Sequence, residues 1–322
     1  GPSSSGDFEV TFPKEGDVFI IDPILDRRYQ TLHLSAAGPG GVRWSVDGYF
    51  KRQFADLDLA NTALVYTSDH GQYLKPKSFT HCVSDGAAAQ MALAHDREYV
   101  DGVLALRLPN GFGNCLPGVA ASLPYTSGAM VAAAREALAR RAVGIAPVSG
   151  FHHACWDEGG GYCTFNGLVI AAQVLRQEGA VGRVGILDAD HHYGNGTADI
   201  IRRLSLDWIE HVTLGADYTE PGDAARFFRD LPGILARFRD CDLLLYQAGA
   251  DPHLDDPLGG WLDDQQLRQR DRRVFDHARA AGLPVAWNLA GGYQQPLRKV
   301  LDIHDHTLRE CMAVFEPGAA SA

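Results

Sequence analysis

Paired cysteines are missing from this sequence. Six cysteines occur in 322 residues, and no two stand in a C-x-x-C arrangement. A disulfide framework is not expected in a chain of this size, and a reducing cytoplasm is the compartment that fits. Basic clusters are missing as well. The net charge is −11, and no run of Lys and Arg could displace the counterions of a nucleic acid, so direct nucleic-acid binding is not expected. No apolar run is long enough to span a membrane. There is no internal repeat and no low-complexity linker. Gly1-Pro2 reads as a protease remnant and residues 3–6 as linker, both set aside, and no signal peptide is visible.

What is present is a large apolar fraction, 46%, arranged in a regular alternation. Short β-branched runs at residues 63–66, 103–106, 143–148, 183–187, 211–214, 242–246 and 284–289 read as strands. Segments of helical period at 127–140, 167–177, 197–204, 264–281 and 296–314 lie between them. This alternation predicts one α/β domain over residues 62–322, a parallel sheet with helices on both faces. Residues 1–61 break the pattern and read as an extension packed on the domain.

In an open parallel sheet, ligands bind beyond the carboxyl ends of the strands. His152 and His153 follow the third run. Asp188, Asp190 and His192 follow the fourth. Asp251 follows the sixth, and Tyr293 the seventh. Asp190 and His192 stand two apart at a strand end, so their side chains point the same way. With Asp251 they can offer three N/O ligands to one metal and leave positions for water and substrate, the arrangement of a catalytic Zn²⁺. A lone Asp-x-His is more often a surface pair or a cap. Asp302-Ile303-His304-Asp305-His306 is such a case, inside a predicted helix, and reads as a solvated face. His152 and His153 could move protons near neutral pH, with Asp188 and Asn195 available to orient them. The Tyr293 hydroxyl could steady an oxyanion, and Gly291 and Gly292 would give the backbone room to turn.

Together these segments resemble the histone deacetylases and acetylpolyamine amidohydrolases. Gly150-Phe151-His152-His153-Ala154 is similar to that family's double-histidine segment. Asp188-Ala189-Asp190-His191-His192 followed by Gly194-Asn195-Gly196 is similar to its metal segment. Gly249-Ala250-Asp251 with Asp256-Pro257-Leu258-Gly259, and Ala290-Gly291-Gly292-Tyr293, complete the match over residues 62–315. The resemblance implies the arginase/deacetylase fold, an eight-stranded parallel sheet, and hydrolysis of an acylated amine. It implies Zn²⁺ on Asp190, His192 and Asp251, with His152 oriented by Asp188 and His153 by Asn195. His153 would be the base and acid and Tyr293 the oxyanion donor. Tyr162, Leu258, Phe151 and Glu220 would border the substrate. A structural K⁺ would sit among Asp188, Asp190, His192, Thr213 and Leu214.

The sequence also departs from that pattern. His191 fills the place between the two ligands of the metal segment. Residues 116–127 carry no Asp or Glu to grip a peptide backbone. Glu220-Pro221-Gly222 stands where an aromatic-Pro-Gly wall is usual. Leu258 replaces a glutamate found in polyamine-specific relatives. The expected substrate is an acyl-lysine in protein or peptide, with a small acylated amine such as an acetylpolyamine as the alternative. Two other readings stay open. One is a two-manganese ureohydrolase of the same fold, which would need further bridging ligands. The other is a deacetylase-like scaffold that binds without catalysis. Self-association is also left open.

Overall fold

The computed structural model describes residues 63–64 and 87–315, which all fall in one compact unit. The expected extension, residues 1–61, lies outside the described residues. Six parallel strands form one sheet: β1 (Ala63–Leu64), β2 (Val143–Ala146), β3 (Val184–Asp188), β4 (Ile209–Thr213), β5 (Leu243–Gly249) and β6 (Val285–Ala290). Their spatial order is β1-β2-β6-β5-β3-β4, and every pairing is parallel. The α/β class is as expected, whereas the strand count among the described residues is six, not eight.

Eight helices flank the sheet among the described residues. They are α1 (Ala87–Met91), α2 (Arg97–Leu104), α3 (Pro117–Arg140), α4 (Gly167–Gln177), α5 (Asn195–Leu204), α6 (Ala224–Ala236), α7 (Asp264–Ala281) and α8 (Arg298–Phe315). Alternation along each strand sorts the core into two layers. Val184, Ile186, Leu243 and Leu245 face a cluster built with α1–α5. Leu187, Leu244, Tyr246 and Trp287 face one built with α6–α8. Burial on both faces is why these strands read as continuous apolar runs.

The expected strand at 103–106 is a correction. Its first two residues end α2, which Asp96 caps by accepting the backbone N–H groups of Glu98 and Tyr99. The buried residues Tyr99, Val100 and Val103 follow a helical spacing that the short run conceals. A second correction concerns His304 and Asp305. They lie in a helix as expected, but both are buried, and Asp305 pairs with Arg298. No helix among the described residues is long and apolar enough to cross a membrane.

His95 ties the helical layer to the loop that carries the paired histidines. Its Nδ1 donates to the Cys155 carbonyl at 2.9 Å, and its Nε2 accepts the Asn166 N–H at 2.8 Å. A second ring proton would point at that N–H. Burial lowers the His95 pKa to about 4. The unfolded chain therefore takes up this proton first, and stability is lost as pH falls from 6.5 toward 4. This one group is expected to account for about 3 kcal/mol at the end of that window. Urea unfolding at pH 7 and pH 4.5 should show a smaller acid loss in His95→Gln than in the parent. Equal losses would remove His95 from the account.

Candidate metal centre

Strands β2, β6, β5 and β3 are neighbours in the sheet, so the segments after them meet at one edge. Asp190 and His192 follow β3, and Asp251 follows β5. One ligand atom from each lies within 4.8 Å of the others. His192 Nδ1 is 3.1 Å from Asp190 Oδ1 and 2.9 Å from Asp251 Oδ2. Both carboxylates are buried. Two buried anions this close require positive charge between them. Hydrogen bonds to the two carboxylates raise the His192 pKa to about 10. Burial, reinforced by the Asp190 charge, pushes the Asp251 carboxyl up. Burial opposes ionisation of Asp190 as well, but His152 and the His192 hydrogen bond hold it below the usual range. A divalent cation suits this donor set of two oxygens and one nitrogen, and no fourth protein ligand joins it among the described residues.

Two histidines stand beside the cluster. The His152 ring is buried, with Nδ1 2.8 Å from Asp188 Oδ2 and Nε2 3.6 Å from Asp190 Oδ1. Burial would lower its pKa, but Asp188 and Asp190 prevail and raise it to about 9. The His153 ring is 4.0 Å from that of His152, and its Nδ1 is 2.6 Å from Asn195 Oδ1. Burial and then the His152 charge push His153 below the ordinary value. His153 is only half-buried, so of the pair it is the one that a substrate can reach. Gly161, at φ +52°, packs on its ring, and a Cβ there would lie 2.4 Å from His153 Cδ2.

Tyr293 approaches from β6 through Gly291 and Gly292. A Cβ on Gly291 would lie 2.3 Å from the Asp251 carboxylate carbon, and its φ is +56°, so only glycine admits the tyrosine beside the ligand. Burial, then Asp251 and Asp190, push the Tyr293 hydroxyl pKa up. The group therefore stays protonated as a donor. Tyr162 has its ring 6.2 Å from that of Tyr293 and 5.5 Å from that of Phe112. It is more than half exposed, as are Leu258 and, nearly so, Tyr193.

Not every expected residue joins the site. Phe151 is buried with its ring against Gly167 at the start of α4. It borders a small cavity with Phe112, Thr126, Tyr162 and Thr164. Glu220 is exposed, and its backbone is held by Asp223, whose carboxylate accepts the N–H groups of Thr219 and Glu220 while the Asp223 N–H donates to the Glu220 carbonyl. Thr213 Oγ1 accepts the Gly194 N–H. The Leu214 carbonyl accepts the N–H groups of both Asp217 and Tyr218.

Three further residues hold the site together without having drawn a role from the sequence. Gln247 accepts the Phe151 N–H and donates to Asp188 Oδ1. Arg270, wholly buried in α7, donates to the carbonyls of Ala189 and Gly249 and pairs with Asp271. Asp256 accepts the backbone N–H groups of Leu258 and Tyr293. Gln247 and Asp256 lie close to recognisable motif positions. Arg270 sits in a charged helical stretch that gives no sign of its burial.

Residues 62–206 match the histone deacetylase domain family. An uncharacterized protein of Picosynechococcus is 29% identical over 256 residues, covering 70% of this chain and 83% of its own. Acetylpolyamine amidohydrolase 2 of Pseudomonas aeruginosa is 61% identical over 49 residues, only 15% of this chain and 14% of that protein. The crystal structure of an acetylpolyamine aminohydrolase from Burkholderia pseudomallei superposes with a TM-score of 0.55 at 21% identity. It covers 72% of this chain and 85% of its own, and it shows the same fold.

Proposed function

We propose that this chain, a member of the histone deacetylase and acetylpolyamine amidohydrolase superfamily, hydrolyses the amide of an acylated amine with one Zn²⁺. The observation that carries this reading is the convergence of Asp190, His192 and Asp251, with His153 and Tyr293 around them. Asp190, His192 and Asp251 would hold the ion, which supplies Lewis acidity toward a carbonyl and acidifies water. His153 takes the proton from the attacking water and returns it to the departing amine nitrogen. Asn195 fixes the His153 ring through Nδ1, leaving Nε2 for that exchange. His152, buried against Asp188, supplies positive charge beside the reacting carbonyl. The Tyr293 hydroxyl donates to the developing oxyanion. Tyr162 and Leu258 form the rim through which the acyl-amine stem enters. A reducing cytoplasm is the compartment this reading assigns, since the sequence holds no C-x-x-C pair.

Acyl-lysine is the first substrate class. A small acylated polyamine is the second, favoured by the short, strong match to an amidohydrolase of that name and by the lack of carboxylates over residues 116–127. The purified protein, loaded with zinc, should be assayed on acetyl-lysine peptides, longer acyl-lysine peptides and acetylated polyamines. Amide hydrolysis is expected for at least one class. Binding without turnover across the whole panel would overturn the enzymatic reading and leave the scaffold.

A further inference from the structure

Tyr293 stands on a backbone that does little to fix itself. Gly291 and Gly292 precede it with φ of +56° and +98°, and neither has a side chain that could anchor the turn. The fixed point at Tyr293 itself is its N–H, which donates to Asp256 Oδ2 at 2.8 Å. The other oxygen of the same carboxylate, Oδ1, accepts the Leu258 N–H at 3.0 Å. Asp256 is buried, 5% exposed. Its own backbone closes the turn on which it sits, through Asp256 N–H to His253 O and Gly259 N–H to Asp256 O. One buried carboxylate thus joins the segment bearing the exposed Leu258 to the segment bearing Tyr293.

We infer that Asp256 is a positioning residue that clamps the Tyr293 loop to the Leu258 turn and so sets where the Tyr293 hydroxyl stands. The inference rests on the oxyanion role given to Tyr293 above. A carboxylate is the side chain this junction needs, because both of its oxygens accept and two N–H groups converge on it. An amide of the same shape keeps one acceptor and turns a donor toward the other N–H. Displacing a reacting group's partner by a fraction of an ångström chiefly costs turnover, because the contact matters most in the transition state.

The test is a four-way comparison of the parent, Asp256→Asn, Tyr293→Phe and the double variant, zinc-loaded, on whichever acylated amine the panel turns over fastest. Metal content and melting temperature are measured for each. Asp256→Asn is expected to lower kcat about tenfold with KM within about twofold. In the Tyr293→Phe background the same substitution is expected to change kcat by less than about twofold, because the group it positions is gone. Equal losses in both backgrounds, or parental kcat in Asp256→Asn, would overturn the clamp. Parental kcat in Tyr293→Phe would instead overturn the role of Tyr293. A readout independent of turnover covers poor folding of the variant. With 3-fluorotyrosine incorporated, the ¹⁹F signal assigned by its loss in Tyr293→Phe should move in Asp256→Asn while the signals of tyrosines elsewhere stay in place. An unmoved Tyr293 signal in a folded Asp256→Asn protein would also overturn the clamp.

Discussion

Asp251→Ala is expected to lose both the metal and the activity. The parent protein should carry about one divalent ion per chain, the number that a single three-ligand site implies. Asp251 is wholly buried, and its two oxygens are engaged by His191 N–H and His192 Nδ1. Water has little access to replace it. Losing an outer-shell partner of a metal ligand costs about 10–100-fold in affinity, so losing the ligand itself should exceed the upper end of that range. Competition with a chelator measures the affinity directly, and elemental analysis gives the stoichiometry. Full activity in Asp251→Ala, or two tightly bound manganese ions in the parent, would reject a single three-ligand centre. The second result would favour the ureohydrolase chemistry.

His153→Ala is expected to be the more damaging change in the histidine pair, with kcat down by about 10²–10⁴. His152→Ala should cost less. His152 is 3% exposed and faces carboxylates, whereas His153 is only half-buried. The pH profile carries a second test. A base works unprotonated, and burial and His152 hold the His153 pKa below 6.5. The parent should therefore keep its rate as pH falls past 6.5, until His153 takes up its proton. Asn195→Asp places a carboxylate on Nδ1, which favours the imidazolium and should move the acid limb to higher pH. Equal kcat in His153→Ala and the parent, or an acid limb that Asn195→Asp leaves in place, would remove His153 from the proton-transfer role.

The strands that carry the site are legible because burial on both faces makes each a short apolar run ending in polar residues. β3, β5 and β6 all fit that description. α7 is legible to its ends because Asp263 and Gln266 form a reciprocal cap and Gly282 closes the other end at φ +63°. α6 is hidden by Pro232 within it, since proline ordinarily argues against a helix interior. The same reasoning hides the first ten residues of α3, which contains Pro124. In the site, the residues that face the ligand cluster announce themselves by chemical type and position after a strand. The residues that hold the backbone do not. Arg270 reads as one charge among several in a solvated-looking helix, yet it lies beneath two strand ends, bonded to main-chain carbonyls. Such a contact depends on tertiary packing and leaves no periodic mark. Glu220 shows the opposite failure. Its neighbours Pro221 and Gly222 suggest a wall position, while it lies exposed on a turn that the Asp223 carboxylate caps.

The strand order has a consequence for how the protein comes into being. β3 and β5 lie side by side, but some sixty residues of chain, including β4 and α6, intervene between Asp190 and Asp251. A chain synthesised only through His192 owns two of the three ligands and grips an ion weakly. The third arrives only when a long loop has closed and β5 has docked, which is a slow, non-local event. If the proposed centre binds its ion, metal capture would therefore be a late step in the life of the nascent polypeptide, tied to completion of the sheet centre. In refolding from denaturant, tight ion uptake should trail the recovery of helical signal instead of leading it.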